Sequence, residues 1–329
     1  MKEFGYEEAP DVPGAVALVK ETPGARFLAG GTNLVDLMKL GVEQPELVVD
    51  VSRLPLGRID VGEDGGLMIG ATVSNSDLAA DPVVRTRYPV LAQALLAGAS
   101  GQLRNMATVA GNLMQRTRCG YFTDVTKACN KRVPGSGCPA REGEHHNLAI
   151  VGASEHCVAT HPSDLAVALA ALDAVVHVQD GNGPSEIPIA EFYAPVGATP
   201  EREVTMPPGA LITGVAIPAL PLGAVSRYRK VRERASYAFA IGSIAATATI
   251  TGGSVRDVRI ALGAVASRPW RAVVAEQALL GGAVGEREFA AAADAELARA
   301  QPLRDNGYKV ELMRNLIIGT LSDLAEVRR

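Results

Sequence analysis

The sequence has 329 residues, 47% of them hydrophobic and 21% charged, with a formal net charge of −4. At roughly 150 residues per domain that is material for two globular domains. The mild charge leaves no electrostatic footprint for nucleic acid, and no run reaches the ~18 apolar residues of a membrane span. The start of the chain, with Glu3, Glu7, Glu8 and Asp11, lacks the basic n-region and apolar core of a signal peptide. The expected location is therefore the cytoplasm, or the periplasm by co-export with a signal-bearing partner.

The N-terminal part reads as short alternating units. Pro13 to Lys20 is predicted as a helix with proline in its first turn. Ala25 to Leu28 is a short apolar run ending in Gly30-Gly31; Leu34 to Leu40 is helical and Leu47 to Val51 a strand, a rhythm that suggests a small parallel unit. Ile59 to Val61 and Leu67 to Ile69 flank Asp64-Gly65-Gly66 as a hairpin. Helices are predicted over Ser74 to Ala80 and Val83 to Leu96. From Gly98 to Ser163 periodicity weakens, and an irregular stretch of that length inside a compact domain is usually functional. A helix at Leu165 to Leu172 and a strand at Ala174 to Gln179 follow. Pro207-Pro208, Pro218 and Pro221 then read as a joint, which places the domain boundary near Leu222. Beyond it, three strand-like runs (Ala224 to Val231, Ala240 to Thr251, Val255 to Val265) precede helical stretches at Arg271 to Leu280, Arg287 to Ala300 and Tyr308 to Val327, an α+β pattern.

Two segments are candidates for holding phosphate. Leu28-Ala29-Gly30-Gly31-Thr32-Asn33-Leu34-Val35 lies between a strand and a helix, where glycines let backbone N–H groups approach an anion. A tight turn with Asn33 as N-cap explains the same residues equally well. The segment is not the G-x-G-x-x-G fingerprint of a nicotinamide-dinucleotide fold. The second segment, Leu103 to Asn112, brings Thr108, Gly111 and Asn112 together and is weak on its own.

Cysteine use is uneven. All four cysteines, Cys119, Cys129, Cys138 and Cys157, fall in the irregular stretch together with His145, His146, His156 and His161. A chain stapled by disulfides would spread them more widely, so the clustering points to a metal or redox site. Four thiols suit a [4Fe–4S] cluster or a structural zinc, although the C-x2-C knuckles of common zinc modules are missing. Buried inert thiols are the plain alternative. Polar and turn-forming neighbours argue against a core role, and Arg118, Lys131 and Arg132 favour thiolates.

AGGTNLVDLM, LRNMATVAGNL and ATHPSDLAVAL, in that order and at these separations, resemble the FAD subunits of the xanthine dehydrogenase and aldehyde oxidase family of molybdenum hydroxylases. These are flavoproteins of the para-cresol methylhydroxylase fold group, related to the medium subunit of carbon monoxide dehydrogenase. The resemblance implies an FAD-binding domain of two α/β subdomains over 1–222, with a cysteine-bearing insert at about 115–160. A C-terminal domain of antiparallel sheet and helices would fill 223–329. It implies that Leu28 to Val35 wrap the FAD diphosphate, with Thr108, Gly111 and Asn112 as a second contact. Asp164 would bond the ribityl chain, and Ile212 and Lys230 would lie near the isoalloxazine ring. Without the resemblance, Asp164 reads as a helix cap and Lys230 as a solvated lysine on an edge strand. Position 110 is Ala where many relatives have Gly.

The segment from Gln115 to Asp164 resembles the cluster-bearing insert of bacterial periplasmic-type aldehyde oxidoreductase FAD subunits, which makes Cys119, Cys129, Cys138 and Cys157 the implied [4Fe–4S] ligands. The implied partners are a large molybdenum-cofactor subunit and a small subunit with two [2Fe–2S] centres, neither of whose motifs occurs here, together with an external electron acceptor. The implied reaction is oxidation of an aldehyde to a carboxylic acid, with the chemistry carried by cofactors rather than by side chains. A 4-hydroxybenzoyl-CoA-reductase-like subunit with reversed electron flow, another hydroxylase of the xanthine or CO dehydrogenase type, a stand-alone flavoenzyme and a zinc scaffold are the competing readings.

Overall fold

The structure is a computed structural model and describes residues 1–327. Strand β1 (Gly5–Glu8), helix α1 (Val12–Glu21), β2 (Arg26–Leu28), α2 (Leu34–Lys39) and β3 (Leu47–Asp50) form a first unit whose parallel sheet has the order β1-β3-β2. Asp11 caps α1, its carboxylate accepting from the N–H of Gly14 at 2.7 Å. Ala15 and Val16 of that helix then pack with Val49 and Leu211 in a small apolar cluster.

The second unit comprises β4 (Ile59–Val61), β5 (Leu67–Gly70), α3 (Asn75–Ala80), α4 (Pro82–Arg87), α5 (Pro89–Ala97), α6 (Gly101–Met106), α7 (Val109–Leu113), α8 (Gly120–Thr123), α9 (Asp164–Ala171), β6 (Val175–Asp180), β7 (Gly183–Pro188), α10 (Ile189–Phe192) and β8 (Leu211–Ile217). Its sheet is antiparallel, in the order β4-β5-β8-β6-β7. The single helix expected over Val83 to Leu96 is two. Tyr88, at φ −128° and ψ 53° before Pro89, separates α4 from α5, because a residue preceding proline avoids the helical region. β8 lies inside what the prolines suggested was a joint.

The third unit is the antiparallel sheet β9 (Val225–Val231), β10 (Gly242–Thr251), β11 (Ser254–Gly263) and β12 (Trp270–Arg271), in the order β12-β11-β10-β9, followed by α11 (Val273–Leu279), α12 (Glu286–Leu297) and α13 (Tyr308–Glu326). Helices α11 and α13 pack against this sheet, and α5 and α9 pack against it as well. Gly242 to Ala248 of β10 are accordingly buried without alternation, as a strand covered on both faces should be. In α9 every residue from Leu165 to Ala171 is buried, the pattern of a helix enclosed on all sides. It puts Asp164, at its first turn, between the second and third units. Among the described residues no helix is long and apolar enough to cross a membrane.

Candidate functional site

Two cavities meet at the glycine loop. The larger, about 500 Å³, is lined by Thr32, Asn33, Gly111, Asn112, Asp164 and Lys230, among others. The smaller, about 260 Å³, is lined by Leu28 to Leu34, Thr108, Gly111 and Ile212. Thr32, Asn33 and Gly111 face both. Every residue expected around a dinucleotide therefore lines one cavity or the other except Val35, which packs under the loop, 3.2 Å from where a side chain on Gly31 would begin. Ile212 and Lys230 were expected near the same ring. Lys230 lines the larger cavity and Ile212 the smaller.

The loop is shaped for close backbone approach. A Cβ on Gly30 would lie 1.7 Å from the carbonyl oxygen of Met106, so the two expected phosphate segments touch and only glycine fits between them. Gly31 takes φ +70°, in the left-handed region that glycine enters freely. Among the described residues, the N–H groups of Gly31, Thr32, Asn33 and Leu34 donate to no protein acceptor. Asn33 stands at the N-cap position of α2 yet does not cap it. Its Oδ1 accepts instead from the N–H of Arg116 at 2.9 Å, and its buried Nδ2 has no partner. A run of free backbone donors beside an orphaned amide is an anion nest. The second segment differs. The N–H groups of Val109, Ala110, Gly111 and Asn112 are all used within the protein, Gly111 by the Thr108 hydroxyl at 3.2 Å. That segment is a wall, with Thr108 capping α7, rather than a second nest.

Asp164 is not the helix cap. Ser163 caps α9, and Asp164 follows it. The Asp164 carboxylate accepts from Lys230 Nζ at 2.7 Å and from the Tyr228 hydroxyl at 2.5 Å. Lys230 is not solvated. Its side chain is 4% exposed, against 10% for Asp164, and it also donates to the carbonyl of Ala97. Burial and the neighbouring carboxylate push the Tyr228 hydroxyl well above its ordinary pKa, so it stays a donor. The pair joins the start of α9 to β9 on the wall of the larger cavity.

The four cysteines, all free thiols, line one small cavity. Cys119, Cys129 and Cys157 are buried, and the cluster around them contains Leu37, Phe122, Leu148 and Val158. The cavity is lined by both kinds of sequence neighbour, polar Thr117, Asn130 and Lys131 and apolar Phe122, Ala128 and Ala159. Basic neighbours pull in the expected direction but burial outweighs them. Burial pushes the Cys157 thiol up to about 11 against the pull of Lys131, and burial raises Cys119 as well. Among the described residues no group of three or more His, Cys, Asp or Glu is placed to hold a single metal ion. His145 is buried, its Nδ1 against the carbonyl of Ala140 and its Nε2 accepting from the N–H of Asp305, while His146 stacks on Tyr308.

The sequence reasoning missed the group that ties the insert to the glycine loop. Arg116, whose N–H holds Asn33, forms ion pairs with Glu43 and Glu203, and Glu203 also accepts from Lys131 at 2.9 Å. Burial opposes these charges. Even so, Arg116 and Lys131 hold the Glu203 carboxyl below its usual value, and the two carboxylates hold Arg116 above its own. Lys131 belongs to the insert and Glu203 lies after β7, 72 residues apart, so no spacing rule signals the contact.

A flavin-sized double cavity around an anion nest, bounded by a parallel unit, an antiparallel unit and a C-terminal sheet with helices, defines a two-part dinucleotide-binding flavoprotein. Residues 2–220 match the FAD binding domain in molybdopterin dehydrogenase, and residues 226–324 match the CO dehydrogenase flavoprotein C-terminal domain. The chain belongs to the FAD-binding medium subunits of the molybdenum hydroxylase family, and it binds FAD. It is 50% identical to the aldehyde oxidoreductase FAD-binding subunit PaoB of Escherichia coli K12, over 98% of both chains. It is 28% identical to the carbon monoxide dehydrogenase medium chain of Hydrogenophaga pseudoflava, over 92% of this chain and 88% of that one. The solved carbon monoxide dehydrogenase from the same organism, which lacks the Mo-pyranopterin moiety, superposes with a TM-score of 0.76 at 26% identity, covering 97% and 96% of the two chains.

Proposed function

We propose that this chain is the FAD- and [4Fe–4S]-carrying electron-transfer subunit of a heterotrimeric, molybdenum-dependent aldehyde oxidoreductase. Its partners are a large molybdenum-cofactor subunit and a small subunit with two [2Fe–2S] centres. Aldehyde is oxidised to carboxylic acid on the large subunit, and electrons leave to an external acceptor by way of FAD. The single observation that carries the reading is the gathering of four cysteines, spread over 39 residues, around one cavity beside a flavin site. The 50% identity to an aldehyde oxidoreductase subunit supports the substrate class. In this reading residues 1–222 hold FAD and 223–329 close the site, with the assembled complex in the cytoplasm or exported with a signal-bearing partner.

The donor sets fit the groups assigned to them. The free N–H groups of Gly31 to Leu34, with Asn33 Nδ2, would hold the diphosphate. The smaller cavity, lined by Leu28, Leu211 and Ile212, suits adenine, so Ile212 is assigned there. The larger cavity would take the ribityl chain and the isoalloxazine, with Asn112 and the Asp164–Lys230 pair on its wall. Bound FAD supplies two-electron acceptance and one-electron release. Lys230 contributes a fixed positive charge whose effect on the ring is tempered by Asp164. Cys119, Cys129, Cys138 and Cys157 would ligate the cluster, and protons must leave their thiols for it to bind.

The test is to purify the chain with its co-eluting partners and add an aromatic aldehyde anaerobically. Bleaching of the flavin absorbance is expected. Absence of bleaching with aldehydes, alongside bleaching by another hydroxylase substrate, assigns a different reaction. In Cys129→Ser the iron should be lost while FAD stays bound; retained iron would remove Cys129 from the ligand set.

A further inference from the structure

Arg118 stands out among the charged side chains. It lies between Thr117 and Cys119, and its side chain lines both the larger cavity and a smaller one behind it. Its Nε is buried without a partner, and among the described residues its guanidinium makes no ion pair or hydrogen bond. Its guanidinium carbon lies 4.8 Å from the centre of the Phe239 ring. Across the cavity stands the Asp164–Lys230 pair, which is internally compensated and offers Arg118 no spare carboxylate. A guanidinium carries five N–H donors in a rigid plane, and leaving them unmet in a partly buried place is costly unless something else meets them. The diphosphate is assigned to the nest at Gly31 to Leu34, and the oxygen-bearing part of the flavin is the acceptor that the larger cavity would bring to Arg118.

We infer that Arg118 is a flavin-binding residue. Resting on Phe239 beside Cys119, it donates to the carbonyl-bearing pyrimidine edge of the isoalloxazine in the larger cavity. The planar fork of arginine suits the in-plane oxygens of a flat ring, and its weak hydration suits a half-buried wall. The same residue joins the flavin wall to the first cysteine of the insert, with one peptide bond between them. The inference rests on the ring lying in the larger cavity.

The test uses the full chain with Arg118→Met and Arg118→Lys. FAD affinity is read by flavin fluorescence on the flavin-stripped chain, and the midpoint potential of bound FAD by spectroelectrochemistry. Arg118→Met is expected to bind FAD roughly ten-fold more weakly, the loss of one charge-assisted hydrogen bond. Its flavin potential should move to more negative values, and Arg118→Lys should recover part of both. Affinity within two-fold of the parent with an unmoved potential overturns the inference. So does loss of iron with unchanged FAD affinity, which makes Arg118 a support for the cysteine loop instead. Lys230→Met separates the two levels of the argument. If Lys230→Met shifts the potential and Arg118→Met does not, the ring placement stands and Arg118 is dismissed. If neither shifts it, the placement fails and this inference with it.

Discussion

The Asp164–Lys230 pair should behave as a buried charge pair whose members are costly alone and cheap to remove together. Its side chains are 10% and 4% exposed, and the contact is 2.7 Å. Removing one partner of such a pair strands the other charge, at about 3–5 kcal/mol. Asp164→Asn belongs at the low end, because an amide oxygen can still accept from Lys230 and Tyr228. Lys230→Met leaves Asp164 with the Tyr228 hydroxyl alone. The double variant leaves no stranded charge, so it should be less damaging than the sum of the singles, with a coupling of about 2 kcal/mol or more. The assay is urea unfolding of the four full-length proteins, followed by circular dichroism with and without FAD. Strict additivity within ~0.5 kcal/mol would mean that the two charges do not depend on each other, and the physical account of this wall would be wrong.

Gly30→Ala should abolish FAD binding or folding, since its Cβ would overlap the Met106 carbonyl, a backbone atom that cannot swing aside; full flavin content in the purified variant would contradict this. Glu203→Gln should lower thermal stability by several degrees by stranding Lys131, whose side chain is 5% exposed, and should loosen the hold of Arg116 on Asn33, so that FAD is retained less well. The Glu203 carboxyl is depressed in the folded state, so its contribution is present above the ordinary carboxylate range and is lost as pH falls through the depressed value; acid titration of Glu203→Gln should lack that component. Lys309 is fully buried, its ammonium donating to the carbonyls of Asn147, Leu148 and Ala264, and burial lowers its pKa to about 7. Unfolding restores the ordinary value, so the unfolded chain binds more protons and stability should rise with pH above about 7, by at most ~1.4 kcal/mol per unit. The three carbonyls favour the charged form and temper the slope, and Lys309→Met should remove it; an unchanged pH profile in that variant would count against the assignment.

The parts of the fold that were legible in the sequence are those with local signals. The helix at α9, the hairpin β4–β5, the strands β9 to β11 and the final helices all carry length and periodicity enough to read. α6 and α7 do not, because helices of five or six residues are too short to show a period, and β8 was hidden among prolines that lie just outside it. The candidate site was legible as two segments and a cysteine window. What could not be read was every contact between distant segments: Gly30 against Met106, Asp164 against Lys230, and Glu203 between Arg116 and Lys131. Those contacts bury Lys230 and tie the insert to the glycine loop.

The most direct check is cofactor stoichiometry on the full chain purified natively without oxygen, with flavin, iron, acid-labile sulfide and zinc measured on one sample. One FAD with about four iron and four sulfide per chain, both iron and sulfide lost in Cys129→Ser, is the predicted result. A flavin-loaded chain with zinc, or with no metal at all, would leave the family membership intact and contradict the claim that these four thiols hold an iron–sulfur cluster.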